Sequence, residues 1–136
     1  MGNEVENWLH ITSPNKKDIK NILKSLHLQT ETSPYGYRNI QVKNNTFTAR
    51  ATTKWSPPID EYKQWKQLYP NIHIHALYKE EFLHFAGRIF GDIQENVDFK
   101  SVTSNDVRNA KSGLLYELNE ILYLAEHMDD HWRNDN

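Results

Sequence analysis

Apolar and polar positions alternate along Glu4–Thr12, around Trp8, Leu9, His10 and Ile11, as a half-buried strand requires. Ser13-Pro14 then supplies an N-cap and a first-turn proline. From Asn15 to His27 the period changes to that of a helix: Ile19, Ile22, Leu23 and Leu26 form one side, with Lys16, Lys20 and Lys24 opposite. Residues 29–36 are polar with Pro and Gly and read as a loop. Tyr37–Lys43 puts Arg38, Ile40 and Val42 on one face of a strand. Asn44-Asn45 suits a tight hairpin turn, and the Thr-rich run Thr46–Lys54 pairs back.

Trp55-Ser56-Pro57-Pro58 stops that strand and opens a helix, since proline fits only a first turn. Ile59, Tyr62, either Trp65 or Lys66, and Tyr69 form the apolar side of this helix, and Pro70-Asn71 ends it. Ile72, Ile74 and Ala76 alternate with His73, His75 and Leu77, a strand with one apolar face. Lys79-Glu80-Glu81 reads as a polar turn and Phe82–Phe90 as the returning strand, in which Gly87 marks a bulge or a large ring crossing the backbone. A charged connector follows at 92–103. Ser104 then caps a helix to Met128, striped by Val107, Leu114, Leu115, Leu118, Ile121, Leu122, Ala125 and Met128. Gly113 within it costs roughly 1 kcal/mol.

The order βαββαββ predicts an α+β fold, a ferredoxin-like sandwich of two helices on an antiparallel sheet over residues 1–91. Residues 92–136 add the connector and a long C-terminal helix. That helix either covers the bare sheet face or, through positions 111, 114, 118, 121, 125 and 128, forms the seam of a dimer.

Composition narrows the chemistry. The chain has 136 residues, 38% hydrophobic and 12% aromatic, enough for one packed core. It contains no cysteine, which excludes disulfides, a thiolate nucleophile and cysteine-ligated metals. No apolar run nears the roughly 18 residues that span a bilayer, and the N-terminus has no basic stretch leading into an apolar one, so a cytoplasmic protein is expected. Asn44-Asn45-Thr46 fits the glycosylation pattern only by chance in such a setting. The net charge of −2 is uneven: residues 1–66 hold ten Lys/Arg against six Asp/Glu, and residues 67–136 hold six against twelve. The acidic second half suits a basic partner, with Glu117, Glu120, Glu126, Asp129 and Asp130 as its docking residues.

Asn7-Trp8, Trp55-Ser56-Pro57-Pro58, Tyr69-Pro70 and Tyr78…Phe85-Ala86-Gly87 together resemble the YubB-type ferredoxin-like domain, a family of small plasmid and phage proteins. The resemblance spans roughly residues 3–91 and departs from the family at the opening, where Glu6-Asn7-Trp8-Leu9 lacks the expected cysteine. It implies a ferredoxin-like fold and a mobile-element setting, and it transfers no catalytic residue or cofactor.

Candidate chemistry is sparse. His73 and His75 share a strand face, and His84 on the adjoining strand would complete three imidazoles suited to zinc if the hairpin register brought it round. His127 and His131 have the spacing of a helical ligand pair, though Met128 stands where a metalloprotease would carry its general base. No nucleophile elbow or phosphate-cradling glycine loop occurs, so no enzyme is expected. Trp8 and Phe47 could stack bases as in single-stranded nucleic-acid binders of this fold, but TFTARATTKW lacks the RNP pattern and the C-terminal helix would cover that face. The expectation that remains is a non-catalytic protein-interaction module, one that blocks a host bacterial defence or regulatory complex. Its alternatives are a single-stranded nucleic-acid binder and a small zinc protein or enzyme.

Overall fold

The structure is a computed structural model, and it describes residues 3–29 and 36–134. Most of the expected loop at 29–36 lies outside the described residues. Within them the chain is α+β. Strands β1 (Glu4–Thr12), β2 (Arg38–Lys43), β3 (Thr46–Lys54), β4 (His73–Glu80), β5 (Ala86–Phe90) and β6 (Ile93–Asn96) form one antiparallel sheet in the order β2-β3-β1-β4-β5-β6. Helices α1 (Lys16–Gln29) and α2 (Ile59–Leu68) connect β1 to β2 and β3 to β4. Such an architecture is compatible with the ferredoxin-like expectation. Among the described residues no helix is long and apolar enough to cross a membrane.

The two-residue period of β1 sorts its side chains onto two faces. Leu9 and Ile11 join Phe47, Ala49, Ala51, Ile74 and Ala76 beneath Ile19, Ile22 and Leu26 of α1 and Tyr62 and Trp65 of α2. Asn7 is also buried on this face. Its Nδ2 donates to Val5 O, Ala51 O and Thr53 Oγ1, which ties β1 to β3. On the other face Leu77 and Ala86 pack with Val107, Leu118, Leu122, Leu124, Ala125 and Met128, and Trp8 lies against this second cluster. The sheet is therefore enclosed from both sides. Fully burying one such leucine stabilises by about 1.5–3 kcal/mol.

Side-chain hydrogen bonds secure the start of α1. Asn15, two residues after the expected Ser13 cap, accepts Lys17 N–H at 3.0 Å, while Ser13 Oγ accepts Asn15 N–H and donates to Asp18. Lys16, Lys20 and Lys24 are exposed, a solvated stripe.

The sequence expectation fails in four places. First, Lys79 and Glu80 belong to β4 rather than a turn. Both are buried, and the turn occupies 81–85, so the returning strand begins at Ala86 and not at Phe82. There Glu80 Oε1 accepts the N–H groups of Phe82 and His84, which ties the end of β4 to the turn. Second, the 92–103 connector contains β6, paired with β5 through a turn in which Gly91 takes φ +62°. Third, the single helix 104–128 is three: α3 (Ser104–Asn109), α4 (Gly113–Leu122) and α5 (Leu124–Asn134). Thr103, not Ser104, caps α3 through a reciprocal box with Asp106. The path breaks first at Ala110 and Ser112, which are extended, and at Gly113 with φ +81°, then at Tyr123 with φ +56°, because extended and left-handed residues cannot continue a right-handed helix. Leu118, Ala125 and Met128 of the supposed seam face the sheet. Fourth, β2 changes register between Arg38 and Gln41, with Asn39 at φ +55°, so Val42 is 46% exposed instead of sharing an inward face with Ile40.

Candidate functional site

The hairpin register decides the fate of the three histidines. Lys79 stands opposite Ala86, which leaves His84 in the turn beyond the ladder. There its Nδ1 lies 3.2 Å from Glu80 Oε1, at the far end of β4 from His73. His73 and His75 do share a face, and the register does not bring His84 round to them. Among the described residues no group of three His, Asp or Glu side chains is arranged to hold a metal ion.

His73 and His75 join a ring cluster that the sequence did not announce. His75 sits 5.1 Å from Trp8 and 5.2 Å from Phe90, His73 is 4.5 Å from Phe90, and Trp8 stacks on His10 at 5.7 Å. Phe47, the other proposed stacking residue, is fully buried on the opposite face beneath α1 and α2, because β3 presents its odd-numbered residues there. The cluster is electrostatically closed. Arg88 pairs with Glu95 at 2.8 Å and with Glu117, and Arg50 pairs with Glu6 at 3.6 Å. His75 Nε2 is 2.7 Å from Glu117 Oε1, outside hydrogen-bond alignment. Burial lowers the pKa of His75 despite the attraction of Glu117, and burial, then the charge of His73, lowers that of His10. Both rings are thus held toward the neutral form.

The acidic residues expected to meet a partner are split by the fold. Glu117 turns inward to Arg88 and His75, and Asp129 pairs with Arg108. Glu120, Glu126 and Asp130 are exposed. His127 donates from Nε2 to Glu81 O at 2.7 Å, which commits that nitrogen to the turn and leaves it unsuited to a ligand pair with His131. A polar cleft beside it is lined by Glu4, Glu6, Arg38, Lys79 and Glu81. Its charges largely cancel, with the Lys79 ammonium 3.7 Å from Glu6.

The most open feature lies at the sheet margins. An edge strand offers unpaired N–H and C=O groups, and proteins commonly guard it with charge, bulges or proline. The β2 edge has such guards: Arg38, Lys43 and the irregular register between them. The β6 edge, Ile-Gln-Glu-Asn, has neither lysine nor proline nor bulge. Val97 N–H donates to Ala86 O, so in an antiparallel ladder Glu95 also bonds inward, and the backbone groups of Gln94 and Asn96 point to the free side. Ile93 is 61% exposed here and Phe90, opposite it, 46%.

Beside this edge, between α2 and the β5–β6 hairpin, opens a cleft of about 200 Å³ whose apolar wall comprises Ile59, Tyr62, Ile74, Ile89 and Ile93. Lys63 and Lys66 stand on its α2 side and Asp92 on the turn opposite. Sequence reasoning missed this region because β6 was read as connector; the Gly91-Asp92 pair between two short apolar-edged runs was the available hairpin signal.

No family model, no characterised protein and no solved structure matches this chain.

Proposed function

We propose that this chain is a non-catalytic protein-interaction module of a mobile genetic element that binds and inhibits a host bacterial defence or regulatory complex, working in the cytoplasm. The observation that carries the binding role is the open β6 edge, where exposed Ile93 and Phe90 border backbone groups that point away from β5. The βαββαβ order of the first six elements, with neighbours β2-β3-β1-β4, supports a ferredoxin-like core extended by β5 and β6. The mobile-element setting comes from the motif resemblance alone.

The nucleic-acid reading is weaker on physical grounds. Single-strand binders combine exposed stacking rings with a positive groove. Here Trp8 and His10 stack on each other, and the flanking Arg50 and Arg88 are already neutralised by Glu6, Glu95 and Glu117.

Capture from host lysate with the tagged protein tests the reading. The expected outcome is a host protein recovered in stoichiometric amount, unaffected by nuclease and lost from an Ile93→Lys variant. Recovery of nuclease-sensitive nucleic acid with no protein overturns it.

A further inference from the structure

The cleft beside β6 has a size, a polarity and a neighbouring backbone that together define what it takes. A volume of about 200 Å³ is below the roughly 300–1,000 Å³ of small-molecule sites. It is close to the roughly 150 Å³ apolar cavity that holds one benzene ring. One large apolar side chain fits; a cofactor-sized ligand does not. The mouth is asymmetric, with Lys63 and Lys66 on α2 against the single carboxylate of Asp92. Lys66 donates to Pro70 O and Ile72 O, while Lys63 is exposed and turned to solvent. The cleft mouth therefore attracts a carboxylate even though the chain as a whole is acidic.

We infer that β6 accepts an extended acidic segment of a partner protein as a seventh strand. The segment's backbone pairs with Gln94 and Asn96, one leucine- or phenylalanine-sized side chain enters the cleft, and a carboxylate two residues away on the same face meets Lys63. Side chains at period two share a strand face, which is what allows one segment to satisfy the cleft and the ammonium group together. This deepens the interaction reading above and rests on it for the identity of the partner as a protein.

The probe is the capped peptide Thr-Ser-Glu-Thr-Leu-Thr-Glu-Ser-Thr, titrated into the full-length protein and followed by amide NMR shifts and exchange. Expected are saturable shifts centred on β6 and α2, and slowed exchange at Gln94 and Asn96. Replacing the peptide leucine by serine weakens binding about tenfold or more, from the lost apolar burial. Lys63→Glu weakens it about twofold to fivefold, and the lysine-for-glutamate peptide regains affinity on that variant. Ile93→Lys, at a 61% exposed position, should fold and fail to bind.

Shifts that do not saturate, that fall elsewhere, or that ignore the leucine overturn the inference. So does concentration-dependent self-association abolished by Ile93→Lys, which would make a second copy the occupant. The two readings fail separately. If lysate capture survives Ile93→Lys, the module reading stands and this site falls. If the peptide binds as described but no host protein is captured, the docking chemistry stands and the host-complex reading falls.

Discussion

At the scale of single residues, Gly87 shows how far sequence can carry an argument. A glycine inside the returning strand points to a bulge or to a large ring crossing the backbone. In the structure Tyr78 fills that role. A Cβ on Gly87 would lie 2.4 Å from both the Tyr78 hydroxyl and Glu95 O. The same hydroxyl is 2.6 Å from Asn96 Oδ1 and accepts Gln94 Nε2–H, so Tyr78 reaches from β4 across β5 to pin β6. Gly87→Ala should cost about 1–3 kcal/mol in chemical denaturation, by overpacking. It should also loosen β6 before the rest of the sheet, read as faster amide exchange at Gln94 and Asn96. Unchanged stability would mean the crossing is slack. Tyr62 offers the opposite sign. It is 4% exposed, its hydroxyl has no partner among the described residues, and burial drives its phenol well above the ordinary range. Tyr62→Phe should therefore raise stability by about 1 kcal/mol, since it removes a desolvated donor; a loss of stability in the same melt would show that the hydroxyl is satisfied. Phe47 illustrates what sequence leaves open. Alternation alone put it in a strand, but which of two equivalent faces the odd-numbered residues take depends on which helices arrive.

Among the elements, the C-terminal region separates what periodicity records from what it omits. The apolar stripe correctly picked Val107, Leu118, Leu122, Ala125 and Met128 as the side that packs. It gave no sign that the backbone reverses at Gly113 and Tyr123, because a left-handed residue changes direction without changing hydropathy. Tyr123 is held there by its N–H to Asn119 O and Leu118 O, and Asn119 Oδ1 accepts Ala125 N–H to start α5. Arg50 of β3 donates to Ile121 O, closing the end of α4 onto the sheet. Gly113→Ala discriminates the two pictures. In one continuous helix alanine would stabilise by about 1 kcal/mol. At φ +81° with open space around it, alanine meets no clash but takes a left-handed conformation costing about 1–2 kcal/mol. Thermal melts should show a decrease; an increase would restore the single helix.

For the whole molecule, the sheet is a partition with two cores of different chemistry, and pH should act on only one of them. The α1–α2 side is mainly apolar, and no histidine belongs to its buried cluster. The side under α4 and α5 holds His10, His75 and His127, all with lowered pKa. His75 is faced by Glu117 of α4, Arg88 of β5 and His10 of β1. His127 is faced by Lys79 of β4, Glu6 of β1, His131 of its own helix and the Glu81 carbonyl. For each the largest cause is burial, so the folded state binds its proton less readily than the unfolded chain, whose histidines titrate near 6.5. A depressed folded pKa gives stability that is complete above the unfolded value and is lost as pH falls through the folded one. The melting temperature should therefore be level above about pH 7 and decline from about 6.5 downward. New positive charge then appears beside Arg88 and Lys79, and α4 and α5 should part from the sheet first. Their amides should lose exchange protection at pH 5.5 while those of α1 and α2 keep it. His75→Gln combined with His127→Gln should flatten the decline. A melting temperature that rises on acidification would mean that the attraction of Glu117 and not burial governs His75, and a slope the double variant leaves intact would mean that neither ring causes the decline.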